Sequence, residues 1–248
     1  MARHSSLKTM LSKRTSRIIF SVIIVGFLIF TLFIAYLFAT RRTVRMELIG
    51  TWFDDPSQHD SWLIEGGTYC PDAPMMFPSD GFIGVGWNDG IPPLYQHTGY
   101  DIFSPAGGEN ITPIYAAYDG YLTRESSWLS SVIIRHPDFN QLPEIVGDDQ
   151  IWTYYTHMAS ADGSDVYVSP EFPRGTREKF VTAGTLLGYQ GTWSGRPNDP
   201  VGLHLHFSVV TTLDEGGYAN ETIIENTYDP APFLGVEIQD DDIIRCAN

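Results

Sequence analysis

His204 and His206 stand one residue apart in Gly202-Leu203-His204-Leu205-His206-Phe207-Ser208-Val209-Val210, a stretch whose apolar and polar side chains alternate strictly. Read as a β-strand, it puts Leu203, Leu205, Phe207 and Val209 on one face and His204, His206 and Ser208 on the other. Two imidazoles on the polar face of a rigid strand keep their nitrogens at nearly constant separation, which suits a metal centre. The competing reading is a solvated surface pair. Partners are at hand in His97-Thr98-Gly99-Tyr100-Asp101, where an imidazole and a carboxylate fall on one face of an extended segment and Gly99 keeps that face open. His97, Asp101 and one histidine of the pair make three ligands suited to zinc and leave a fourth position for water, the arrangement of a catalytic site. His157 ends the aromatic-rich run Ile151-Trp152-Thr153-Tyr154-Tyr155-Thr156-His157, which would carry its side chain to a sheet edge; taken alone it reads as a structural or surface histidine. His59 has no partner motif and reads as surface.

The elements that must position these side chains are short. From Pro74 onward, β-branched and aromatic runs are punctuated by Gly, Pro, Asp and Asn, the texture of an all-β, antiparallel domain. Strands are predicted at Ile114 to Ala117, Tyr121 to Thr123, Ser131 to Arg135, Ile151 to His157, Thr185 to Tyr189 and Leu203 to Val210. Asp119-Gly120 reads as the turn of a hairpin joining the first two. Polar, proline-bearing loops are predicted over Asp138 to Asp149 and Ala161 to Lys179.

Charge divides the chain. Eight of its 15 basic residues precede Glu47, whereas all 30 acidic residues lie at or beyond it, leaving seven basic residues there and a net charge of −23. Such a body repels nucleic-acid phosphates, so no nucleic-acid partner is expected. Residues Ile18 to Ala39 carry no charge over 22 positions, enough for one transmembrane helix. A cleaved signal peptide is the competing reading, but the run is long and lacks a clear small-x-small cleavage site. Five basic residues before it and three after favour a cytoplasmic N-terminus and an extracytoplasmic domain. The organisation read from this is a tail at 1–17, the membrane helix at 18–39, a juxtamembrane connector at 40–73, the folded domain at 74–236 and a C-terminal tail at 237–248. Cys70 and Cys246 show no metal or redox spacing; a disulfide between them is the natural expectation outside the cytosol, with two free thiols as the alternative.

Several ordered pieces of the chain resemble the lysostaphin and LytM type of zinc metallopeptidase, a family that cuts peptide bonds in bacterial peptidoglycan. Pro78-Ser79-Asp80-Gly81-Phe82-Ile83-Gly84-Val85-Gly86 is similar to its opening strand, and His97-Thr98-Gly99-Tyr100-Asp101 matches its H-x-G-x-D motif. Pro113-Ile114-Tyr115-Ala116-Ala117-Tyr118-Asp119-Gly120, Val132 to His136, Tyr154 to Met158, Ala183 to Gly191 and Leu203-His204-Leu205-His206-Phe207 follow in the family's order. The resemblance implies an antiparallel β-sheet or sandwich peptidase domain of the duplicated hybrid motif type. It also implies Zn²⁺ held by His97, Asp101 and His206, with His157 and His204 as non-ligating catalytic histidines, either of which could serve as the base. His136 aligns with a histidine outside that set and is expected to be structural.

The chain departs from the family at Ser208, where many members carry Glu, and at Pro200-Val201-Gly202; the loops at 161–179 and 195–201 look expanded. Loops beside a groove select substrate, so these departures bear on which bond is cut more than on zinc hydrolysis. The expected function is a membrane-anchored zinc endopeptidase acting on peptidoglycan cross-links or stem peptides. Two alternatives are a non-catalytic module that binds wall or activates other hydrolases, and a zinc peptidase acting on another protein or peptide.

Overall fold

The structure, a computed structural model, describes residues 3–147 and 150–247. It divides into a unit ending at Glu47 and a unit running from Leu48 onward. Helix α1 (Arg3–Asp54) has no proline within it and stops ahead of Asp55-Pro56, where the proline ring disfavours helical geometry in the residue before it. Its stretch Ile18–Tyr36, of mean hydropathy 3.0, is long and apolar enough to cross a bilayer, a property that anchors and signal sequences share. The basic residues at 3–17 and 41–42, on which the expected orientation rests, have side chains outside the described residues.

The second unit is mostly antiparallel β. Its strands are β1 (Phe82–Val85), β2 (Gly90–Ile91), β3 (Tyr95–Gln96), β4 (Tyr100–Phe103), β5 (Pro113–Tyr115), β6 (Gly120–Thr123) and β7 (Val132–His136). The short helix α2 (Pro143–Val146) falls in the loop predicted over Asp138 to Asp149, whose last two residues lie outside the described ones. There follow β8 (Ile151–Thr156), β9 (Lys179–Val181), β10 (Leu186–Tyr189), β11 (His204–Val210), β12 (Thr227–Tyr228), helix α3 (Ala231–Leu234), β13 (Val236–Ile238) and β14 (Ile244–Cys246). The main sheet has the order β13-β14-β1-β4-β11-β8-β7-β6-β9, with β12 added to β11. Strands β5 and β10 form a separate pair, as do β2 and β3.

The core lies on the face of β11 that carries Leu205, Phe207 and Val209, all fully buried with Ile102, Ile134 and Tyr155 of the neighbouring strands. Ile114 of β5 and Leu187 of β10 join the same core from the second sheet. Alternation then leaves His204, His206 and Ser208 on the opposite face.

Three expectations about organisation meet a different arrangement. The Asp119-Gly120 hairpin does not form: β5 pairs with β10, whereas β6 pairs with β7 and β9. Neither Asp119 nor Gly120 has the positive φ that a tight hairpin turn needs. Gly120 is required for space, since a Cβ there would lie 2.3 Å from the Arg135 carbonyl oxygen across the strand pair. The segment 40–73, read as a connector, is helical to Asp54, and Ile49, Trp52 and Ile64 within it are buried. The segment 237–248, read as a tail, contains β14, which pairs with β1 at Ile83 and so extends the main sheet.

Cys70 and Cys246 form a disulfide, with Cα atoms 5.2 Å apart across a separation of 176 residues. In the chain-entropy account, closing so long a loop removes freedom from the unfolded chain and stabilises the fold by about 5 kcal/mol. Replacing both cysteines with serine is expected to lower the urea midpoint of the unit from Leu48 onward by a corresponding amount.

His136, at the end of β7, is fully buried; its Nδ1–H donates to the Asp119 carbonyl at 2.7 Å and Nε2 lies 2.8 Å from Thr153 Oγ1. Burial pushes its pKa down to about 4, against smaller opposing contributions from Asp119. As pH falls, an unfolded chain protonates this histidine near 6.5, whereas the folded chain holds it neutral until about 4. The unfolded state therefore binds more protons in that window, and about 3 kcal/mol of stability present above pH 6.5 is lost as pH falls to 4. Denaturant titrations across this range should show His136→Gln with a pH slope shallower than wild type by one proton.

Candidate metal centre

Strands β4 and β11 run antiparallel with Asp101 directly opposite His206 and Phe103 opposite His204. Opposed residues project to the same face, so this register brings Asp101 Oδ1 to 2.9 Å from His206 Nδ1. Gly99 permits the approach, because a Cβ there would lie 2.2 Å from the Phe207 carbonyl oxygen. His97 comes from the end of the β2–β3 hairpin. Its N–H donates to the Asp89 carbonyl at 2.8 Å and its carbonyl accepts from Asn88 N–H at 2.7 Å. Held there, its Nε2 stands 3.0 Å from Asp101 Oδ1 and 3.1 Å from His206 Nδ1.

The outer side of each ring decides what faces inward. His97 Nδ1–H donates to the Gly86 carbonyl at 3.0 Å, so Nε2 presents a lone pair. His206 Nε2 faces Ser208 Oγ at 2.9 Å, with Glu221 Oε2 at 3.7 Å. With its hydrogen on Nε2, His206 also presents a lone pair from Nδ1. Two imidazole nitrogens and a carboxylate oxygen thus converge within 3.1 Å of one another. Tetrahedral zinc ligands stand about 3.3 Å apart, so the donor set fits this ion in chemistry and in spacing. His204 and His206 are 4% and 8% exposed, which removes the solvated-surface reading of the pair.

The electrostatics call for a cation. Burial would raise the Asp101 pKa, but His204 and His97 beside it outweigh this and hold the carboxylate well below its usual range. At His206 burial disfavours charge, yet hydrogen bonding and attraction to Asp101 and Glu221 push its pKa up to about 10. A divalent ion bound at this point would take the place of a proton on His206.

His204 and His157 border this group. His204 Nδ1–H donates to the Gly202 carbonyl at 2.7 Å, leaving Nε2 3.3 Å from Asp101 Oδ1. His157 Nδ1–H donates to the Trp193 carbonyl at 2.6 Å, and its ring centroid lies 4.6 Å from that of His204. Strand alternation would send His157 to the core side with Tyr155. A φ of +74° ends β8 instead and turns the ring towards the histidines. Burial, with His204 and His206 adding to it, lowers the His157 pKa to about 3, so this imidazole is neutral at physiological pH. The Nδ1–H of each ring is thus committed to a backbone carbonyl.

All five histidine and aspartate positions line one cleft of about 660 Å³, together with Leu94, Tyr95, Glu221, Ile223 and Glu225. Glu221 was not legible in the sequence: it lies in the loop between β11 and β12 at no recognisable spacing from His206. Thr98 Oγ1 donates to its Oε2 at 3.5 Å. Ser208 was legible, since alternation alone places it on the face of His206.

No protein-family model and no curated protein sequence matches this chain. Solved structures similar to it include the catalytic domain of the antimicrobial peptidase lysostaphin from Staphylococcus simulans, at 20% identity over 60% of this chain and 89% of that one, with a TM-score of 0.36. A putative glycyl-glycine endopeptidase LytM from Ruminococcus gnavus is 20% identical over 55% of this chain and 45% of its own, at the same TM-score of 0.36. A zinc-containing peptidase from Vibrio cholerae is 17% identical over 63% of this chain and 40% of its own, again at 0.36.

Proposed function

We propose that the chain is a membrane-anchored, zinc-dependent endopeptidase that hydrolyses peptide bonds in peptidoglycan cross-links or stem peptides. The observation that carries this reading is the convergence of donor atoms from His97, Asp101 and His206 beside two further imidazoles whose Nδ1–H groups are held by backbone carbonyls. In this reading His97, Asp101 and His206 are the ligands. Bound zinc would polarise the scissile carbonyl and lower the pKa of its bound water. His157 and His204 handle protons: a neutral imidazole fixed by its Nδ1–H offers Nε2 as acceptor and, once protonated, as donor to the leaving amine or the oxyanion. Their backbone hydrogen bonds hold the tautomer that this exchange requires.

The anchor is the apolar run of α1, with the cytoplasmic N-terminus expected from the flanking basic residues. The domain would then face outward, where its disulfide persists. A second reading, cleavage of a peptide other than wall peptide, is favoured by the charge of −23 from Glu47 onward, which gives no attraction to an anionic wall.

Metal analysis and digestion test both. One zinc per chain is expected, with release of new amino termini from purified peptidoglycan that stops on chelation and resumes with added zinc. Cleavage confined to a panel of free peptides would select the second reading. A chain that binds no zinc would sink the mechanism.

A further inference from the structure

The last turn of α1 packs behind one of the histidines of the cleft. Trp52 is buried, and its Nε1–H donates to the Ser104 carbonyl at 3.0 Å, fixing the helix end beside β4. Phe53, next in sequence, meets Phe103 edge to face with ring centroids 5.4 Å apart. Phe103 in turn lies 5.0 Å from the His204 ring. Phe53 also backs Gly202, where an added Cβ would meet Phe103 at 3.2 Å and Phe53 at 3.5 Å. The Gly202 carbonyl is the acceptor that holds His204 Nδ1–H at 2.7 Å. One side chain therefore supports both restraints on His204, the aromatic ring against its face and the carbonyl that sets its tautomer.

We propose that Phe53 is a positioning residue, through which the end of α1 holds His204 with Nε2 directed into the cleft. The inference rests on the reading of His204 as a proton-handling group. Without the Phe53 ring, Phe103 loses its outer neighbour, and the segment entering β11 at Gly202 gains freedom that is passed to the His204 acceptor. A shift of about 1 Å in a reacting group can cost on the order of 100-fold in rate. Phe53 is 45% exposed, so its removal leaves the buried core intact.

The test uses the full chain in nanodiscs. Phe53→Ala is expected to lower kcat about tenfold while KM, zinc content and melting temperature hold, and Phe53→Leu, which restores apolar bulk, is expected to recover most of the loss. Long-range ¹H–¹⁵N spectra of the imidazoles supply a readout independent of turnover: the His204 signals should shift or broaden in Phe53→Ala while those of His136 stay fixed. Unchanged His204 signals, a kcat within twofold of wild type, or a Phe53→Leu variant as impaired as Phe53→Ala would each overturn the proposal. A wild-type chain that hydrolyses nothing would count against the proposed function alone, since the spectra decide the positioning by themselves.

Discussion

Replacing His206 with alanine should strip the chain of bound zinc and of hydrolytic activity together, while leaving the β domain folded. His206 offers Nδ1 to the point where His97 Nε2 and Asp101 Oδ1 converge, 3.1 and 2.9 Å away. Alanine removes one of three donors, and the two that remain would leave half of the four tetrahedral positions without a protein ligand. Groups that merely orient a ligand account for about 10- to 100-fold in metal affinity, so loss of the ligand itself should exceed about 100-fold. Competition with a chromophoric chelator measures this directly. The fold should survive because the strand's core contacts come from Leu205, Phe207 and Val209 on the other face. Tight zinc binding by the alanine variant would remove His206 from the ligand set.

His204→Ala should separate metal from turnover. His204 Nε2 lies 3.3 Å from Asp101 Oδ1, but its Nδ1–H is spent on the Gly202 carbonyl and it stands outside the group of three converging donors. Zinc affinity is therefore expected to change by less than about tenfold. Positioned proton transfer contributes about 10²- to 10⁴-fold to rate, and a loss of that size in kcat is the expected result. Single-turnover kinetics on a zinc-loaded variant, with metal content assayed on the same sample, check both halves. If zinc left with the side chain, the roles within the pair would be exchanged. His157→Ala should resemble His204→Ala if the two share proton handling; a wild-type rate would leave His204 as the sole base.

Much of the candidate site is written in local pattern. Alternation through Leu203 to Val210 separates the histidines from the core residues, because successive side chains of a strand point to opposite faces. The spacing of His97 and Asp101 brings out a second pair of donors. What alternation cannot choose is which histidine of the pair faces Asp101, since His204 and His206 share a face. That choice depends on register between strands more than 100 residues apart: Asp101 lies opposite His206, and Phe103 takes the place opposite His204. Pattern also misdirects at two points. Asp119-Gly120 looks like a hairpin turn, but its glycine serves a close backbone approach, a contact that exists only once β6 and β7 are paired. The segment before Pro74 reads as a connector, but Ile49 and Trp52 pack with Phe82 and Phe103 of the main sheet, and Ile64 joins the main core.

By itself, the sequence determined the apolar N-terminal helix, the antiparallel β character of the rest, the pairing partners available to two cysteines, and the short list of side chains able to do chemistry. These follow from composition and from periods of a few residues, which are local properties. Tertiary structure decided the rest. It turned His157 out of the strand alternation by a positive φ and folded the loop after β11 back so that Glu221 meets His206. It also set the end of α1 against Phe103 and Gly202. Each of these depends on which distant backbones lie side by side, and short-range periodicity carries no record of that.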